Sequence, residues 1–384
     1  MATVTPITRT FDMSGRMAQY QDSVLEELDV YHEEASPAVK MAWDNRTTKN
    51  FTNDTVFQMV KYALAPGGIM PRRHTFTLEN IDGPIDAQFT AKICEAHTSI
   101  DWFDIQESMS DDALYDLVED NISTCWETLW KRLSYMFWSK HNETVPGSGI
   151  IDANTLYMTF LPDVAIQTLG NDVDSMWDGI ALAARGNTAT HTYGGLPVTA
   201  GSTDNSFWQA HVSNGTGATD DHGTSGVGRA ITNTIMQNHI GSASKGGKVP
   251  SNGAMPYNVW TSFSNVVHSM LLGQLNQPVT KNAFGIEDSI KFRGTDYYSE
   301  PWMTDIHYSA TPGGSIIEWG PDSFGLLLHS SSENPVLVSD LGKGANMQGF
   351  QHLERSTIFF FGLFLWGNFI APKRHRIRRI NNLL

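Results

Sequence analysis

The strongest helical pattern in the chain lies between residues 110 and 139, which read SDDALYDLVEDNISTCWETLWKRLSYMFWS. Apolar side chains recur there at steps of three and four residues, as they do along one face of an α-helix. At 1.5 Å per residue the predicted helix is about 45 Å long, which is long for a globular domain. We therefore predict a rigid rod that organises the segments around it. Its apolar face comprises Leu114, Leu117, Val118, Ile122, Cys125, Trp126, Leu129, Trp130, Leu133 and Phe137.

A predicted β-hairpin precedes this helix. Residues 74–78 and 88–97 alternate between polar and apolar side chains, and Asn80–Pro84 between them has the composition of a turn. Because an isolated two-stranded hairpin is only marginally stable in water, this one needs a further surface to lie on. That surface is either its own domain or a neighbouring subunit.

The rest of the chain divides into a lead-in, a glycine-rich block and a strand-rich end. In the lead-in we predict short helices at Ala18–Leu28 and Asn53–Leu64. Residues 186–253 hold 13 of the 33 glycines, and further helices are predicted at 224–240 and 256–272. Helices followed by a run of strands predict an α+β fold. The predicted strands are Ile290–Gly294, Ser315–Trp319, Gly325–His329 and 357–366.

An aromatic run near the C-terminus allows two interpretations. Ile358–Gly367 is almost wholly apolar and is followed by the basic stretch Lys373–Arg379, a pattern that resembles a stop-transfer signal. The run is only about ten residues long, whereas a membrane-spanning helix needs about 20. We therefore predict a strand that is buried on both faces.

The basic C-terminal end also has two interpretations. Residues 373–384 contain five Lys or Arg and no acidic residue. One interpretation is contact with nucleic acid or with an anionic lipid surface. The other, which we favour, is a solvated end or an end that pairs with acidic surface of the same or a neighbouring chain.

Composition excludes several classes of protein. The chain is 40% hydrophobic and has 11 Trp, which is too apolar for a disordered protein. Its net charge is −15 although basic residues cluster at one end, and such an acidic body is repelled by phosphate. Two cysteines, Cys94 and Cys125, cannot form a disulfide scaffold or a cysteine-based zinc site. The first ten residues lack an apolar block, so we predict no signal peptide.

The sequence predicts no catalytic residue, no cofactor and no metal site. It contains no complete phosphate-binding loop, no Gly-x-Ser-x-Gly and no His-Glu-x-x-His motif. The most metal-like cluster is Asp220-Asp221-His222, with His191 and His211 nearby in sequence, and we interpret it as a solvated polar loop. Cys125 lies on the apolar face of the predicted helix and is interpreted as a core residue, not a nucleophile. A soluble metal-dependent hydrolase with a glycine-rich lid at 186–253 is the alternative.

Several short stretches, in their order along the chain, resemble segments of one family. That family is the major capsid protein of tailed double-stranded DNA bacteriophages, the Hong Kong 97 fold family. The resemblance runs from about residue 60 to the C-terminus, and the order of the stretches carries it more than any one of them. The stretches are Phe89-Thr-Ala-Lys, Asp101-Trp-Phe-Asp-Ile-Gln, Tyr193-Gly-Gly-Leu-Pro, Ser206-Phe-Trp-Gln-Ala, Phe292-Arg-Gly-Thr-Asp-Tyr-Tyr with Pro301-Trp-Met, and Gly367-Asn-Phe-Ile-Ala-Pro-Lys-Arg followed by Ile377-Arg-Arg-Ile.

The resemblance implies an α+β fold of the Hong Kong 97 type that has no active site. Its parts would be an N-terminal arm, an extended β-hairpin loop, a peripheral domain with a long spine helix, and an axial domain with the glycine-rich insertion. Late strands would return to the peripheral domain before a basic C-terminal segment. In this order the implied boundaries are 1–65, 66–100, 101–185 with the spine helix at 110–139, 186–320, 321–366 and 367–384.

The function implied by the resemblance is that of a structural subunit of the virion. Hexamers and pentamers would assemble in the host cytoplasm into an icosahedral head, the virion capsid, around packaged double-stranded DNA. The expected partners are copies of itself, a portal protein, possible decoration proteins, and DNA without sequence-specific contact; no membrane is expected. Only about 60 residues precede the hairpin, so we predict a separate scaffolding protein. Another virion structural protein is a further alternative.

A hypothesis about the contacts between subunits follows from charge. Like-charged subunits repel one another, so assembly needs apolar contacts together with local ion pairs. Arg72 and Arg73 lie in the predicted hairpin. We expect them to face Asp101, Asp104 and Glu107 of a neighbouring subunit.

Overall fold

The computed structural model describes segments of the chain between residues 36 and 383. These are residues 36–50, 55–60, 85–101, 103, 111–138, 144–145, 149–150, 177–184, 192–197, 208, 210–213, 230–243, 249–271, 289–306, 314–320, 322–329, 336–337, 351–352 and 358–383.

Helices and strands are mixed throughout these segments. The helices are α1 Pro37–Asp44, α2 Asp111–Trp138, α3 Ile180–Ala183, α4 Asn233–Ala243, α5 Tyr257–Leu271 and α6 Pro301–Ile306. The strands are β1 Thr47–Lys49, β2 Thr55–Val60, β3 Ile85–Thr90, β4 Lys92–Asp101, β5 Thr144–Val145, β6 Gly149–Ile150, β7 Thr192–Tyr193, β8 Leu196–Pro197, β9 His211–Ser213, β10 Asn252–Met255, β11 Ile290–Phe292, β12 Thr295–Ser299, β13 Gly314–Trp319, β14 Gly325–His329, β15 Val336–Leu337, β16 Gln351–His352, β17 Ile358–Ile370 and β18 Arg378–Leu383.

The helix predicted from the quoted stretch is confirmed as α2, which is 28 residues long. Its apolar face is buried in the larger of two core clusters, and this packing stabilises a helix more than its propensity does. On the flank toward β4, the Thr98 hydroxyl donates to Asn121 Oδ1 at 2.8 Å, and Arg132 donates to the carbonyl oxygen of Glu95. Fully buried positions of this face are Val118, Ile122, Leu129, Leu133 and Phe137.

The first six-stranded sheet is built on the aromatic run. This run forms β17, a strand of 13 residues, so the predicted strand is confirmed. Burial on both faces is seen in its second half, where Leu363, Leu365 and Phe369 lie on one face and Asn368 and Ile370 on the other. One edge of β17 pairs antiparallel with β4 over ten residues, while β14, β15 and β16 pair with its other edge. The edge strand β1 runs parallel to β14. None of the helices in the described segments has the length and hydropathy of a membrane span.

The hairpin differs from the sequence prediction in its first strand. Antiparallel pairing joins β2 to β3, with Thr55 opposite Thr90 and Val60 opposite Ile85. The helix predicted at Asn53–Leu64 is therefore wrong over β2. Val56 and Val60 are both buried and lie four residues apart, a spacing that fits a helix face as well as a strand face. The predicted strand at 74–78, the turn at 80–84 and the predicted helix at 18–28 lie outside the described residues.

A second six-stranded sheet has the strand order β11-β12-β10-β13-β18-β9. One of its faces packs on α5, where Phe263 joins Tyr297 and Ile316 in the smaller core cluster. The other face belongs to the core around α2, through Tyr298 and Ile317. Adjacent residues on a strand point to opposite faces, so this sheet separates the two cores.

Most predicted elements of the C-terminal half are confirmed. The helix predicted at 256–272 is α5, and three predicted strands are β11, β13 and β14. The helix predicted at 224–240 overlaps α4, which begins only at Asn233. Residues 224–229 lie outside the described part of the chain.

The basic C-terminal end is folded into the body. Its strand β18 lies between β13 and β9, and Arg378 is fully buried beside Glu318, whose Oε2 is 3.6 Å from the guanidinium. Lys373 and Arg376 reach the carboxylate of Asp322 at 3.6 and 3.7 Å. Pairing with acidic residues of the same chain is thus confirmed for these residues. The prediction of a solvated end is wrong, because the end completes a sheet.

Candidate functional site

The hairpin of β2 and β3 exposes large apolar side chains on one face. Phe57 is 59% exposed and Met59 is 56% exposed, and they stand two residues apart on the same side of β2. Their cross-strand neighbours are Gln88 and Asp86, which are also exposed. We call these four residues the outer hairpin face. Two large apolar side chains exposed side by side make this face the candidate interaction surface.

The opposite face of the hairpin packs on the chain's own body. Phe89 is 1% exposed and meets Tyr193 edge-to-face with ring centroids 5.4 Å apart. The backbone amide of Gln88 donates to the carbonyl oxygen of Gly194 at 2.8 Å. Gly194 has a φ of +59°, and a Cβ there would lie 3.0 Å from the Phe89 ring, so both backbone and space require glycine. One face of the hairpin base therefore packs on the body of the subunit, and the other face is exposed.

A buried arginine ties this support to the C-terminal end. Arg374 is fully buried, and its Nε donates to the carbonyl oxygen of Ala183 at 2.7 Å. Its Nη1 donates to the carbonyl oxygen of Trp208 at 2.8 Å, and its guanidinium lies 5.6 Å from the centre of the Tyr193 ring. Trp208 in turn donates to the carbonyl oxygen of Tyr193 at 3.0 Å. Three stretches singled out in the sequence, around Tyr193, Trp208 and Arg374, thus meet beneath the hairpin.

Most of the predicted intersubunit residues lie outside the described part of the chain. These are Arg72, Arg73, Asp104 and Glu107. Asp101 is described: it is the last residue of β4, it pairs with Ile358, and its carboxylate accepts a hydrogen bond from the Phe103 amide at 3.3 Å. Phe103 is 62% exposed. Asp101 is thus half-buried beside an apolar surface residue, at the end of β4 away from the hairpin.

The cysteines are unsuited to catalysis or metal binding in this environment. Burial raises the pKa of both Cys94 and Cys125 to about 12, with the nearby Arg132 charge opposing the shift. Both therefore stay protonated near neutral pH, and a thiol is a much poorer nucleophile than a thiolate. The interpretation of Cys125 as a core residue is confirmed by its 2% exposure.

A buried charge cluster lies inside the second sheet. Tyr297 donates to Glu318 at 2.5 Å, and Arg378 lies on the other side of that carboxylate. Burial raises the pKa of Glu318, while Arg378 and the tyrosine hydroxyl oppose the rise. All three side chains are buried within a sheet, so they have no open face for a substrate.

No group of three metal-ligating side chains occurs in the described segments. His211 lies on β9, whereas His191 and Asp220-Asp221-His222 fall outside the described residues. The His211 ring lies beside the His239 ring, with centroids 5.6 Å apart and the ring planes tilted by 40°. These observations give the hydrolase alternative no support.

Sequence reasoning missed the outer hairpin face. Phe57 and Met59 fell within a predicted helix, so their shared side was not recognised. The signal was present in Thr55–Val60, which reads TVFQMV and combines β-branched and aromatic residues as strands do. The preceding Asn53-Asp54 favoured the helix, because it has the composition of an N-cap.

Comparison with solved structures identifies the fold. A chain of the cyanophage A-1(L) capsid superposes with a TM-score of 0.58 at 13% sequence identity, over 91% of this chain and 93% of that one. An encapsulin from Synechococcus elongatus PCC 7942 has a TM-score of 0.49 at 11% identity, over 91% and 89% of the two chains. The capsid of a native GTA particle has a TM-score of 0.46 at 8% identity, over 89% of each chain. The last two scores are too low to support a statement about fold.

No family model and no curated protein matches the sequence. The relationship is therefore visible in the structure and not in overall sequence identity. The chain has the α+β fold of a phage capsid protein.

Proposed function

We propose that this protein is the structural subunit of an icosahedral phage head. The observation that carries the proposal is the shared fold with the cyanophage A-1(L) capsid chain over nearly the full length of both. The outer hairpin face supports it, because two large exposed apolar side chains on an anchored hairpin suit contact with another copy. Specific protein interfaces bury roughly 800 Å² on each partner, which a hairpin lying on its neighbour can provide.

The proposed domain organisation is that of the Hong Kong 97 type. The N-terminal arm predicted at 1–65 is shortened to the residues before Thr55, the peripheral domain lies at 101–185 and the axial domain at 186–320. Return strands at 321–366 and the C-terminal segment at 367–384 complete it. Pairing of β2 with β3 favours a hairpin that begins at Thr55 instead of residue 66.

The proposed partners follow from the same function. Copies of this chain form the hexamers and pentamers, and a separate scaffolding protein, a portal protein and possible decoration proteins complete the head. The net charge of −15 suits a container, because DNA that must move inside it is not held by the wall. Arg72 and Arg73 facing Asp101, Asp104 and Glu107 of a neighbour remain the proposed ion pairs.

Sedimentation and negative-stain electron microscopy test this function. The protein is produced alone and together with the products of its neighbouring genes. Large closed particles are expected in at least one of these preparations. A monomer or small oligomer in every preparation, or stoichiometric metal bound to such an oligomer, contradicts the proposal.

A further inference from the structure

One strand changes partner where the hairpin leaves the body. Within the body, β4 pairs with β17 as far as Lys92, which lies opposite Gly367. On the N-terminal side of Ala91 the chain forms β3, which pairs with β2 from Thr90 back to Ile85. The partner changes at a single residue, Ala91. The angle between the hairpin and the body therefore depends on the contacts that hold the backbone at this point.

The Asn368 side chain holds the backbone at this point. It follows Gly367 on β17, and its Nδ2 donates to the carbonyl oxygen of Thr90 at 2.8 Å. The same nitrogen donates to Asp178 Oδ2 at 2.7 Å, while Oδ1 accepts from the Asp178 amide at 2.7 Å. Asn368 is 1% exposed, and a buried amide is stable only when its polar atoms are paired in this way.

Asp178 connects this contact to the spine helix α2. The next residue, Gly179, packs so closely on α2 that a Cβ would overlap the carbonyl oxygens of Met136 and Phe137. Lys92, the first residue of β4, lies 3.5 Å from Asp178 Oδ1. Both side chains of this ion pair are largely buried, at 14% and 21% exposure. The hairpin base is thereby linked through Asn368, Asp178 and Gly179 to helix α2.

We propose that Asn368 is a positioning residue that sets the angle at which the hairpin leaves the body. This inference rests on the proposed function, since the angle decides where the outer hairpin face meets a neighbouring copy. The six residues of β3 extend about 20 Å from the hinge at 3.3 Å per residue. A change of about 10° therefore moves the far end by roughly 3.5 Å, close to the 4–4.5 Å reach of an apolar contact. A loosened hinge thus misplaces contacts without unfolding the subunit.

Asn121 is a matched control that distinguishes an effect on the hairpin angle from a general loss of subunit stability. Asn121 also joins β4 to the body: its Oδ1 accepts from Thr98 at 2.8 Å, and its Nδ2 donates to the carbonyl oxygen of Leu117 at 2.7 Å. It lies beside the middle of β4, away from the point where the strand changes partner. Asn121→Ala removes the same chemical group and leaves the hinge intact.

The test compares hydrogen exchange and particle size in Asn368→Ala and Asn121→Ala. In Asn368→Ala subunits, exchange at 55–60 and 85–90 is expected to rise about tenfold while exchange at 92–101 stays unchanged. Its particles are expected to vary in diameter or to fail to close, whereas Asn121→Ala gives wild-type particles. Equal exchange changes in the two variants, or Asn368→Ala particles of wild-type diameter, overturn the inference.

Further variants keep the test decisive if Asn368→Ala does not fold. Asn368→Asp removes the donor to the Thr90 carbonyl oxygen and places a second carboxylate against Asp178. Adding Asp178→Asn restores a donor–acceptor pair between residues 368 and 178 but not the donor to Thr90. In the double variant, stability to urea is expected to return toward wild type while exchange at 55–60 and 85–90 stays raised. A double variant with wild-type exchange in the hairpin contradicts the inference. Hydrogen exchange is measured on isolated subunits, so it tests the role of Asn368 even if the wild-type protein forms no particles. The absence of wild-type particles would contradict the proposed function but not this inference.

Discussion

The hydroxyl of Ser36 donates a hydrogen bond of 2.7 Å to Oε2 of Glu300, and both residues are fully buried. Ser36 is the N-cap residue of α1, and Glu300 immediately precedes α6. The indole of Trp138, at the end of α2, donates to the same Ser36 hydroxyl at 2.9 Å. Ser134 accepts from the Ser36 amide at 2.9 Å. The buried Ser36 hydroxyl thus joins Glu300 and the start of α1 to the end of α2.

The Glu300 carboxyl predicts a pH dependence of subunit stability. Burial raises its pKa to about 8, and the donors around it oppose the rise. The folded state therefore holds a proton that the unfolded state has lost between pH 4.5 and 8, so this group makes stability fall as pH rises through that range. Between pH 4.5 and 8 the free energy of unfolding is expected to fall by an amount on the order of a few kcal/mol. Glu300→Gln, which cannot ionise, is expected to remove most of it.

Urea unfolding of the subunit at pH 5, 7 and 9 measures this effect. The control is Glu127→Gln, because Glu127 is a partly exposed residue of α2 that pairs with Lys131. We expect the control to keep the wild-type slope of stability against pH. A Glu300→Gln variant with that same slope would show that Glu300 is not the titrating group.

Substitutions on the two sides of β2 are expected to separate assembly from folding. Replacing both Phe57 and Met59 by Ser changes exposed positions, so the free energy of unfolding should change by less than about 0.5 kcal/mol per site. Particle formation should nevertheless be lost, as sedimentation will show. Val56→Ser on the buried face should cost about 2 kcal/mol in thermal or urea unfolding. Normal particles from the Phe57→Ser/Met59→Ser variant are incompatible with a contact role for this face.

Arg374 is expected to be more sensitive to substitution than the neighbouring Lys373, because Arg374 is buried and Lys373 is partly exposed. Arg374→Ala leaves two buried carbonyl oxygens without this donor and should lower the free energy of unfolding by about 3 kcal/mol. Arg374→Lys keeps the charge but loses the two directed N–H groups, so an intermediate loss is expected. Lys373→Ala, at an exposed ion pair, should cost less than about 1 kcal/mol. Similar losses in Arg374→Ala and Lys373→Ala would refute this structural role of Arg374.

Charge reversal tests the proposed ion pairs between subunits. Arg72→Glu with Arg73→Glu should leave circular dichroism and unfolding of the subunit unchanged but prevent particles from forming. Changing Asp101, Asp104 and Glu107 to Lys in the same chain should restore particles, since the charges are exchanged. Wild-type particles from the two arginine reversals alone rule out these pairs.

The sequence was most informative where one period of hydrophobicity dominates. The three- and four-residue spacing from Val118 to Phe137 predicts α2, and the unbroken apolar run predicts β17. The same spacing at Val56 and Val60 gave a wrong helix prediction, because two apolar residues four positions apart fit one face of either a helix or a strand. Local patterns also cannot place Asn368 beside Thr90, or Glu300 beside Ser36, since these pairs are 278 and 264 residues apart. Such contacts depend on the whole topology and carry no local signal.

Cryo-electron microscopy of particles made from this chain tests the central claim most directly. We predict a closed icosahedral shell in which Phe57 and Met59 of each copy lie within about 4.5 Å of apolar atoms of another copy. Preparations that contain only small oligomers would contradict the account. So would a closed shell in which the outer hairpin face of every copy remains in contact with solvent.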